Sequence, residues 1–347
     1  MTEAFLNLSA AERSEALQVA ASTSGRPLHA LEKDVWVVWT LSALFESHFG
    51  KHLVFKGGTS LSKAYKAIER FSEDIDVTYD IRVIAEDLVK DAGGDEPLPQ
   101  SKAQGKKWSD KVRERLPMWL NESVLPYLRL QLEALELDAK ARVDDECIFI
   151  EYATQVQGYG YVAPRIKIEF GARSTGQPAE AQQIFCDAAE FLPGLTFPTA
   201  MPLVMRVERT VWEKMTAIHV LCLQGSIKDR LSRHWHDVAK LDAAGHVDAA
   251  LKSREIAQRV AGHKSWFFAA KDSQDKAIDY VSAVSGGLVL VPEGKTLEAL
   301  AADYAKMVED RLFLREPEPL SWIIERCREI EKRANANGTG VKNCPHK

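Results

Sequence analysis

Two aspartates separated by one residue, Asp74 and Asp76, are the side chains of this sequence best suited to metal chemistry. On a β-strand both carboxylates would point to the same face, because side chains alternate along a strand. Neighbouring carboxylates repel each other and are costly to bury, so a divalent cation is their expected companion. Oxygen ligands favour Mg²⁺ (or Mn²⁺) over zinc. The alternative, for an isolated Asp-x-Asp, is a solvated pair on an edge strand.

A glycine-rich segment lies just upstream of the two aspartates. The apolar stretch 52–55 predicts a buried strand that the glycines end, and the hydroxyl residues that follow are expected to cap a helix over 61–69. Free N–H groups at a helix N-terminus suit a polyphosphate, and glycine lets the backbone approach it closely. The residues predicted to bind this polyphosphate are Lys56, Gly57, Gly58, Thr59, Ser60 and Lys63.

These segments resemble a known family. Lys56-Gly-Gly-Thr-Ser-Leu-Ser-Lys63, followed by Arg70-Phe-Ser-Glu-Asp-Ile-Asp76, is similar to the signature of the AbiEii/MenT nucleotidyltransferase toxins, a branch of the DNA polymerase β-like nucleotidyltransferase superfamily. The similarity is dense over 53–77, includes Glu32-Lys33-Asp34, and extends at motif level to about residue 240. It implies that the glycine turn holds an NTP and that Asp74 and Asp76 hold magnesium. It further implies an RNA acceptor, the tRNA 3′ end, with blocked translation as the outcome, and a separately encoded cognate antitoxin.

A third acidic residue, Glu169, lies in the predicted strand 165–170. Isoleucine and phenylalanine occupy one face of this strand, whereas Arg165, Lys167 and Glu169 occupy the other. By its context Glu169 resembles the third carboxylate of the superfamily, which assists the attacking hydroxyl, although aspartate is the usual residue there. The alternative is a solvated glutamate paired with Lys167 or Arg165.

Lys214 and Asp237 open two successive predicted helices that flank a basic connection. The family has a lysine and an aspartate in this arrangement, so the resemblance implies that Lys214 binds the triphosphate and that Asp237 orients the triphosphate or Lys214. An ordinary ion pair between two helices is the alternative. The intervening His234-x-His236 pair lacks a third ligand nearby and is predicted to be surface. The basic residues expected to contact RNA or triphosphate are Lys228, Arg230 and Arg233.

Taken together, these residues predict a metal-dependent nucleotidyltransferase. An acceptor hydroxyl would attack the α-phosphate in line, and pyrophosphate would leave with its charge held by the glycine turn, Lys63 and Lys214. The spacing of Lys56-Gly-Gly-Thr-Ser does not fit a P-loop. Two alternatives stay open at this point: transfer of the γ-phosphate to a protein, and a non-catalytic nucleotide-sensing module.

The pattern along the chain predicts an α+β fold with a second, helical part. A polymerase β-like core, a small mixed sheet flanked by helices, is expected over 1–200, with N-terminal helices and a helical insertion near 108–141. The Ser9-Ala-Ala-Glu12 pattern predicts a capped helix, and the pattern of residues 91–107 predicts a loop. A mostly helical domain is expected over 201–334, followed by a disordered tail over 335–347.

Composition narrows the class of protein further. The net charge of −5 argues against nucleic-acid binding by the whole surface, so RNA contacts would come from local basic patches. Five scattered cysteines indicate neither a disulfide framework nor a zinc site. No apolar run reaches the roughly 20 residues that cross a bilayer, and the start of the chain does not resemble a secretory signal. We therefore expect a cytoplasmic enzyme with no membrane contact.

Overall fold

The computed structural model describes residues 3–70, 72, 74–154, 164–310, 313 and 315–338. The chain divides into two compact units. One unit consists of 1–65, 71–95 and 106–205, and the other of 66–70, 96–105 and 206–347. The expected division at residue 200 therefore differs from the observed units, because two short earlier segments belong with the C-terminal part. The first unit is mixed α and β, and the second is helical.

The first unit carries the described strands and the N-terminal helices. Its strands are β1 (Glu3–Ala4), β2 (Leu53–Lys56), β3 (Ile75–Tyr79), β4 (Ala139–Asp144), β5 (Cys147–Tyr152), β6 (Arg165–Gly171), β7 (Ala179–Ala181), β8 (Ile184–Phe185), β9 (Leu195–Thr196), β10 (Thr199–Ala200) and β11 (Leu203–Met205). Its helices are α1 (Ala10–Ser24), α2 (Leu28–Glu46), α3 (Gly57–Lys63), α4 (Ile81–Ile84), α5 (Glu86–Val89), α6 (Lys102–Trp119, whose first turn belongs to the helical unit) and α7 (Leu125–Glu133).

A seven-stranded mixed sheet organises this unit, in the order β4-β5-β6-β3-β2-β11-β7. The strand that carries the second motif aspartate, β3, lies inside the sheet, antiparallel to β2 and parallel to β6. Alternation along β6 is as expected: Ile166, Ile168 and Phe170 are buried, and the charged residues between them are more exposed. The sheet therefore brings three motif-bearing segments side by side.

Local signals account for several elements. Ser9 and Glu12 form a reciprocal capping box at the start of α1, as predicted. In contrast, the helix expected over 61–69 begins at Gly57 and ends at Lys63, because Gly57 turns the chain directly from β2 into α3. The helical insertion expected near 108–141 ends at Glu133, and 139–144 form β4 instead. The predicted loop at 91–107 gives way to α6 at Lys102.

The second unit consists of helices around a buried aromatic core. They are α8 (Val207–Gln224), α9 (Arg233–Ala243), α10 (His246–Lys252), α11 (Arg254–Phe267), α12 (Tyr280–Ser282), α13 (Gly294–Glu309) and α14 (Leu320–Gly338). The fully buried indoles of Trp212 and Trp235 donate to the carbonyl groups of Ala250 and Leu290. Because α14 runs to Gly338, the first residues of the predicted disordered tail are helical, and the tail from residue 339 lies outside the described residues.

No helix among the described residues is long and apolar enough to cross a lipid bilayer.

Candidate active site

Asp76 lies at the centre of an acidic cluster on the sheet. In the registers of β3 it is opposite Lys56 on β2 and Glu169 on β6. Burial, together with the negative charges of Glu169 and Asp74, raises the pKa of Asp76 to about 6, although the Lys56 ammonium acts in the opposite direction. A hydrogen bond from Asp76 to Glu169 contributes to this shift. The sheet has therefore forced carboxyl groups together that would repel each other if all were ionised.

Gly57 is the residue that lets the turn approach Asp76. Its φ of +80° lies in the left-handed region, and a Cβ at this position would overlap the Asp76 carboxylate. Conformation and space therefore both require glycine here. Gly58 follows in the first turn of α3, and Lys56 occupies the N-cap position of that helix.

The hydroxyl groups of Thr59 and Ser60 are buried and already engaged. Thr59 Oγ1 donates to the backbone oxygen of Asp74 at 2.5 Å, and Ser60 Oγ donates to the Gly57 carbonyl at 2.9 Å. Neither side chain acts as the predicted helix cap, since α3 begins before both residues. Their hydroxyl groups therefore bond to backbone oxygens of the protein, and their contact with a triphosphate stays a prediction.

The ammonium of Lys63 is also engaged within the protein. It donates to Asp34 Oδ1 at 2.5 Å and to Asp187 Oδ1 at 2.7 Å, and the Asp187 N–H donates to Asp34 Oδ2 at 2.6 Å. Arg26 forms an ion pair with the same Asp187. Burial lowers the pKa of Lys63, but the two carboxylates outweigh burial and raise it overall. This charge joins α3 to α2, and the contact between Lys63 and phosphate stays a prediction.

Glu169 contacts a lysine and an aspartate. It forms an ion pair with Lys167 on the same strand, and it also hydrogen-bonds with Asp76 on the neighbouring strand. Its side chain is 41% exposed. Glu169 is therefore reachable from solvent while it contributes to the acidic cluster.

The residues at this cluster fit a hard divalent cation bound together with a nucleotide. Within the described ranges, no three His, Cys, Asp or Glu side chains come together as a ready-made metal cage. Mg²⁺ is commonly held by one or two carboxylates, substrate phosphates and water, so a complete protein cage is not needed. The raised pKa of Asp76 is the observation that fits, because a cation between the carboxylates would relieve their repulsion.

Lys214 and Asp237 lie together in the helical unit. The Asp237 side chain is fully buried; its Oδ2 accepts from Lys214 Nζ at 2.9 Å, and both of its oxygens accept from Arg70, each at 2.7 Å. Burial raises the pKa of Asp237, but Arg70 and Lys214 outweigh it and hold that pKa well below its usual range. Asp237 therefore forms ion pairs with both Lys214 and Arg70, and both of its oxygens are occupied.

The histidines that precede Asp237 were predicted to lie on the surface, and the structure contradicts this for His236. His236 is buried, and its Nδ1 lies 3.3 Å from Asp237 Oδ1. Burial and the charges of Lys214 and Arg233 lower the pKa of His234 well below its usual value, so its ring is neutral. On α9, His236 is therefore buried next to Asp237, whereas His234 is half-buried.

The basic connection between α8 and α9 is exposed, as expected for a contact with phosphates. Lys228, Arg230 and Arg233 all reach solvent, whereas the intervening Asp229 is paired with Lys306. Asp303 of α13 accepts from the backbone N–H groups of Arg230 and Ser232 at 2.5 and 2.7 Å. A buried carboxylate therefore holds this connection in shape.

Sequence reasoning missed three partners. Arg70 opens the motif that ends at Asp76, and Asp34 lies in the similar Glu32-Lys33-Asp34 segment, so both stood within recognised patterns. Asp187 has no local signal, because it is 124 residues from Lys63 in the chain.

Comparisons with known proteins place the chain in a family. No curated protein shows a detectable match. Among seven solved chains that match is MenT4, a nucleotidyltransferase toxin from Mycobacterium tuberculosis, with 17% sequence identity and a TM-score of 0.42 over 92% of this chain and 98% of that one. The family model for the nucleotidyl transferase AbiEii toxin of type IV toxin–antitoxin systems matches residues 39–326, most of the chain. The chain therefore belongs to the AbiEii family of nucleotidyltransferase toxins.

Proposed function

We propose that this protein transfers NMP from an NTP to an RNA acceptor, the 3′ end of tRNA, in a reaction that depends on Mg²⁺ or Mn²⁺ held by Asp74 and Asp76. A nucleotidyltransferase toxin of a type IV system has a nucleotide as its substrate and an antitoxin as its partner. The metal, the acceptor and the residue roles are the proposed part. Modification of the tRNA 3′ end would block its aminoacylation and thereby translation.

The observation that carries the proposal is the acidic cluster of Asp74, Asp76 and Glu169 beside the Gly57 turn. A protein gains no stability from carboxylates held against one another, so their convergence favours a cation-binding role. When bound, the cation would neutralise the charge that develops on the phosphates. The role of Glu169 would be to take the proton from the attacking hydroxyl, for which its exposed carboxylate beside Asp76 is suited.

The triphosphate would be held by backbone and cations and not by the hydroxyl side chains of α3. Gly57 lies directly against Asp76, Gly58 follows it in the first turn of α3, and Lys56 adds a positive charge beside the same carboxylate. Lys214, fixed by Asp237, is the proposed cation for the leaving pyrophosphate. The exposed residues Lys228, Arg230 and Arg233 are the proposed contacts for the phosphates of the RNA.

The test is a transfer assay with purified protein, Mg²⁺, each α-³²P-labelled NTP separately, and total tRNA. We expect label on intact tRNA and none on tRNA whose 3′ terminal diol has been oxidised with periodate. The Asp74→Ala/Asp76→Ala variant should be inactive, and a γ-labelled NTP should leave no label on RNA or protein. Label on oxidised tRNA would exclude the 3′ end as acceptor. Retention of the γ-label would instead establish transfer of the γ-phosphate.

A further inference from the structure

The hydroxyl of Thr59 connects the helix after the glycine turn to the first motif aspartate. Thr59 is completely buried in α3, and its Oγ1 lies 2.5 Å from the backbone oxygen of Asp74 and 2.9 Å from Ser72 Oγ. Asp74 immediately precedes β3, whose paired register with β6 begins at Ile75. The hydrogen bond from Thr59 therefore holds the backbone of Asp74 just before the strand pairing of β3 begins at Ile75.

The direction of these hydrogen bonds follows from the atoms involved. A carbonyl oxygen only accepts, so Thr59 must donate its single hydroxyl proton to Asp74. The Thr59 oxygen then has only lone pairs left for Ser72, which must be the donor. The chain of donors runs from Ser72 to Thr59 to Asp74. Both distances lie in the range of well-formed O–H···O bonds.

The helix that carries Thr59 is itself firmly anchored. At its C-terminal end the buried Lys63 ammonium is bound by Asp34 and Asp187. At its N-terminal end Gly57 follows directly from β2. Thr59 lies between these two anchored ends. Its hydroxyl is therefore fixed in position, and it holds the backbone oxygen of Asp74. A bound phosphate would have to displace one of two existing partners to reach this hydroxyl.

We propose that Thr59 is a positioning residue: its hydroxyl sets the backbone of Asp74, and thereby the direction of the Asp74 carboxylate, and does not bind phosphate. This inference rests on the proposed function, in which Asp74 holds the divalent cation. Loss of the hydroxyl would leave a buried carbonyl without its donor and would release the segment that enters β3.

The test replaces Thr59 with an isosteric valine and measures binding of Mn²⁺ without turnover. Mn²⁺ is titrated into the protein with a non-transferable NTP analogue, and free Mn²⁺ is followed by electron paramagnetic resonance. We expect Thr59→Val to weaken Mn²⁺ binding about tenfold, because binding would then have to order the released Asp74 segment, at a cost similar to one hydrogen bond. Thr59→Ser, which keeps the hydroxyl, should restore binding. The KM for NTP at saturating Mn²⁺ should change by less than about twofold.

The matched control is Thr40→Val. Thr40 is equally buried, and its hydroxyl donates to a backbone carbonyl, Trp36 O, at 2.7 Å within α2. It should lower the melting temperature by an amount similar to Thr59→Val but leave Mn²⁺ binding unchanged. Should Thr59→Val not fold, Thr59→Cys, with a weaker donor of similar size, gives the same comparison.

The outcomes separate the two proposals. Wild-type Mn²⁺ affinity in Thr59→Val would overturn the role of Thr59 and leave the proposed function intact. A raised KM for NTP with unchanged Mn²⁺ binding would also overturn it and would assign the hydroxyl to phosphate. If the wild-type protein binds no Mn²⁺ at all, or if Asp74→Ala binds it equally well, the proposed metal dependence itself fails, and the inference about Thr59 fails with it.

Discussion

Asp76 and Glu169 are direct neighbours on the parallel strands β3 and β6, and their carboxyl groups hydrogen-bond to each other. A carboxyl–carboxylate hydrogen bond needs one shared proton. In this hydrogen bond Asp76 is the protonated partner, so that proton must leave before both carboxylates can bind a cation.

This relationship predicts a pH-dependent stability. The pKa of Asp76 is raised from 3.8 to about 6, so the folded metal-free protein holds a proton that the unfolded chain releases. The resulting stabilisation is complete below about pH 4 and is lost as the pH rises through about 6. We expect Asp76→Asn to raise the free energy of unfolding by up to about 3 kcal/mol above pH 6 and to leave it unchanged near pH 4. Urea unfolding with a chelator present, from pH 4 to 8, measures this. Equal stability of the two proteins at pH 8 would contradict it.

Gly57→Ala should abolish transfer because the added Cβ would overlap the Asp76 carboxylate. The matched control is Gly25→Ala. Gly25 has a similar φ of +73°, but a Cβ added there would meet nothing within 4 Å, so this variant carries the backbone strain alone. Both variants should lose about 1 kcal/mol of stability from the left-handed backbone, and only Gly57→Ala should lose activity. Comparable activity in the two variants would show that the approach to Asp76 is unimportant.

Asp237→Ala should be strongly destabilising because it leaves Arg70 and Lys214 buried without their shared carboxylate. Loss of one partner from a buried ion pair costs about 3–5 kcal/mol. Asp242→Ala is the control on the same helix: Asp242 is nearly buried and pairs with Arg333 and Arg326. Chemical unfolding should show a loss in both variants. Transfer activity, measured where both are folded, should fall only in Asp237→Ala, since only there does Lys214 lose its orientation.

Lys63→Met tests whether this lysine serves the fold or the ligand. It would leave Asp34 and Asp187 close together without the ammonium that neutralises them. We expect a loss of about 3 kcal/mol in the free energy of unfolding and an unchanged affinity of the folded protein for an NTP analogue. Urea unfolding measures the first quantity, and calorimetric titration with the analogue measures the second. Normal stability with weakened NTP binding would restore the phosphate-binding role that the sequence suggests.

Lys228→Ala/Arg233→Ala should weaken the binding of tRNA and leave NTP binding unaffected, because both side chains are exposed on the connection that Asp303 anchors. Each lost phosphate contact should reduce the slope of log K against log salt by about 0.7–0.9. Lys276→Ala/Lys295→Ala removes the same charge from other exposed positions of the helical unit. Equal slopes for the two double variants would mean that the basic connection makes no specific contact with RNA.

Elements with strong local signals were predictable from the sequence. The capping box at Ser9 and the alternation along β6 each depend on neighbours within a few residues, and the structure confirms them. The start of α3 was not predictable, because Thr59, a good helix cap by type, uses its hydroxyl on Asp74, 15 residues away. A hydroxyl engaged in a buried tertiary hydrogen bond cannot also cap the helix, so the turn at Gly57 sets where the helix begins.

In the candidate site, too, local patterns could be predicted and tertiary contacts could not. The Asp-x-Asp spacing singled out Asp74 and Asp76, and the family resemblance singled out Lys214; their catalytic roles stay predictions. The sequence did not show which charged side chains form ion pairs within the protein, because their partners are distant in the chain. Unlike Lys56, Lys63 lies beside Asp34 and Asp187. The hydrophobic pattern of the sequence does not predict this difference. The inward turn of His236 likewise follows from its neighbour Asp237 and the pairing of that carboxylate with Arg70.

The contribution of residues 66–70 to the helical unit has an evolutionary consequence. The chain passes between the two units five times, and Arg70 supplies a bidentate partner to Asp237 from far upstream. A polypeptide beginning at residue 206 would inherit the buried aspartate without its arginine. Recombination between related toxins could therefore not exchange the C-terminal part as a self-contained module. A viable chimaera would have to take the short segment before the Asp-x-Asp motif from the same parent as α9.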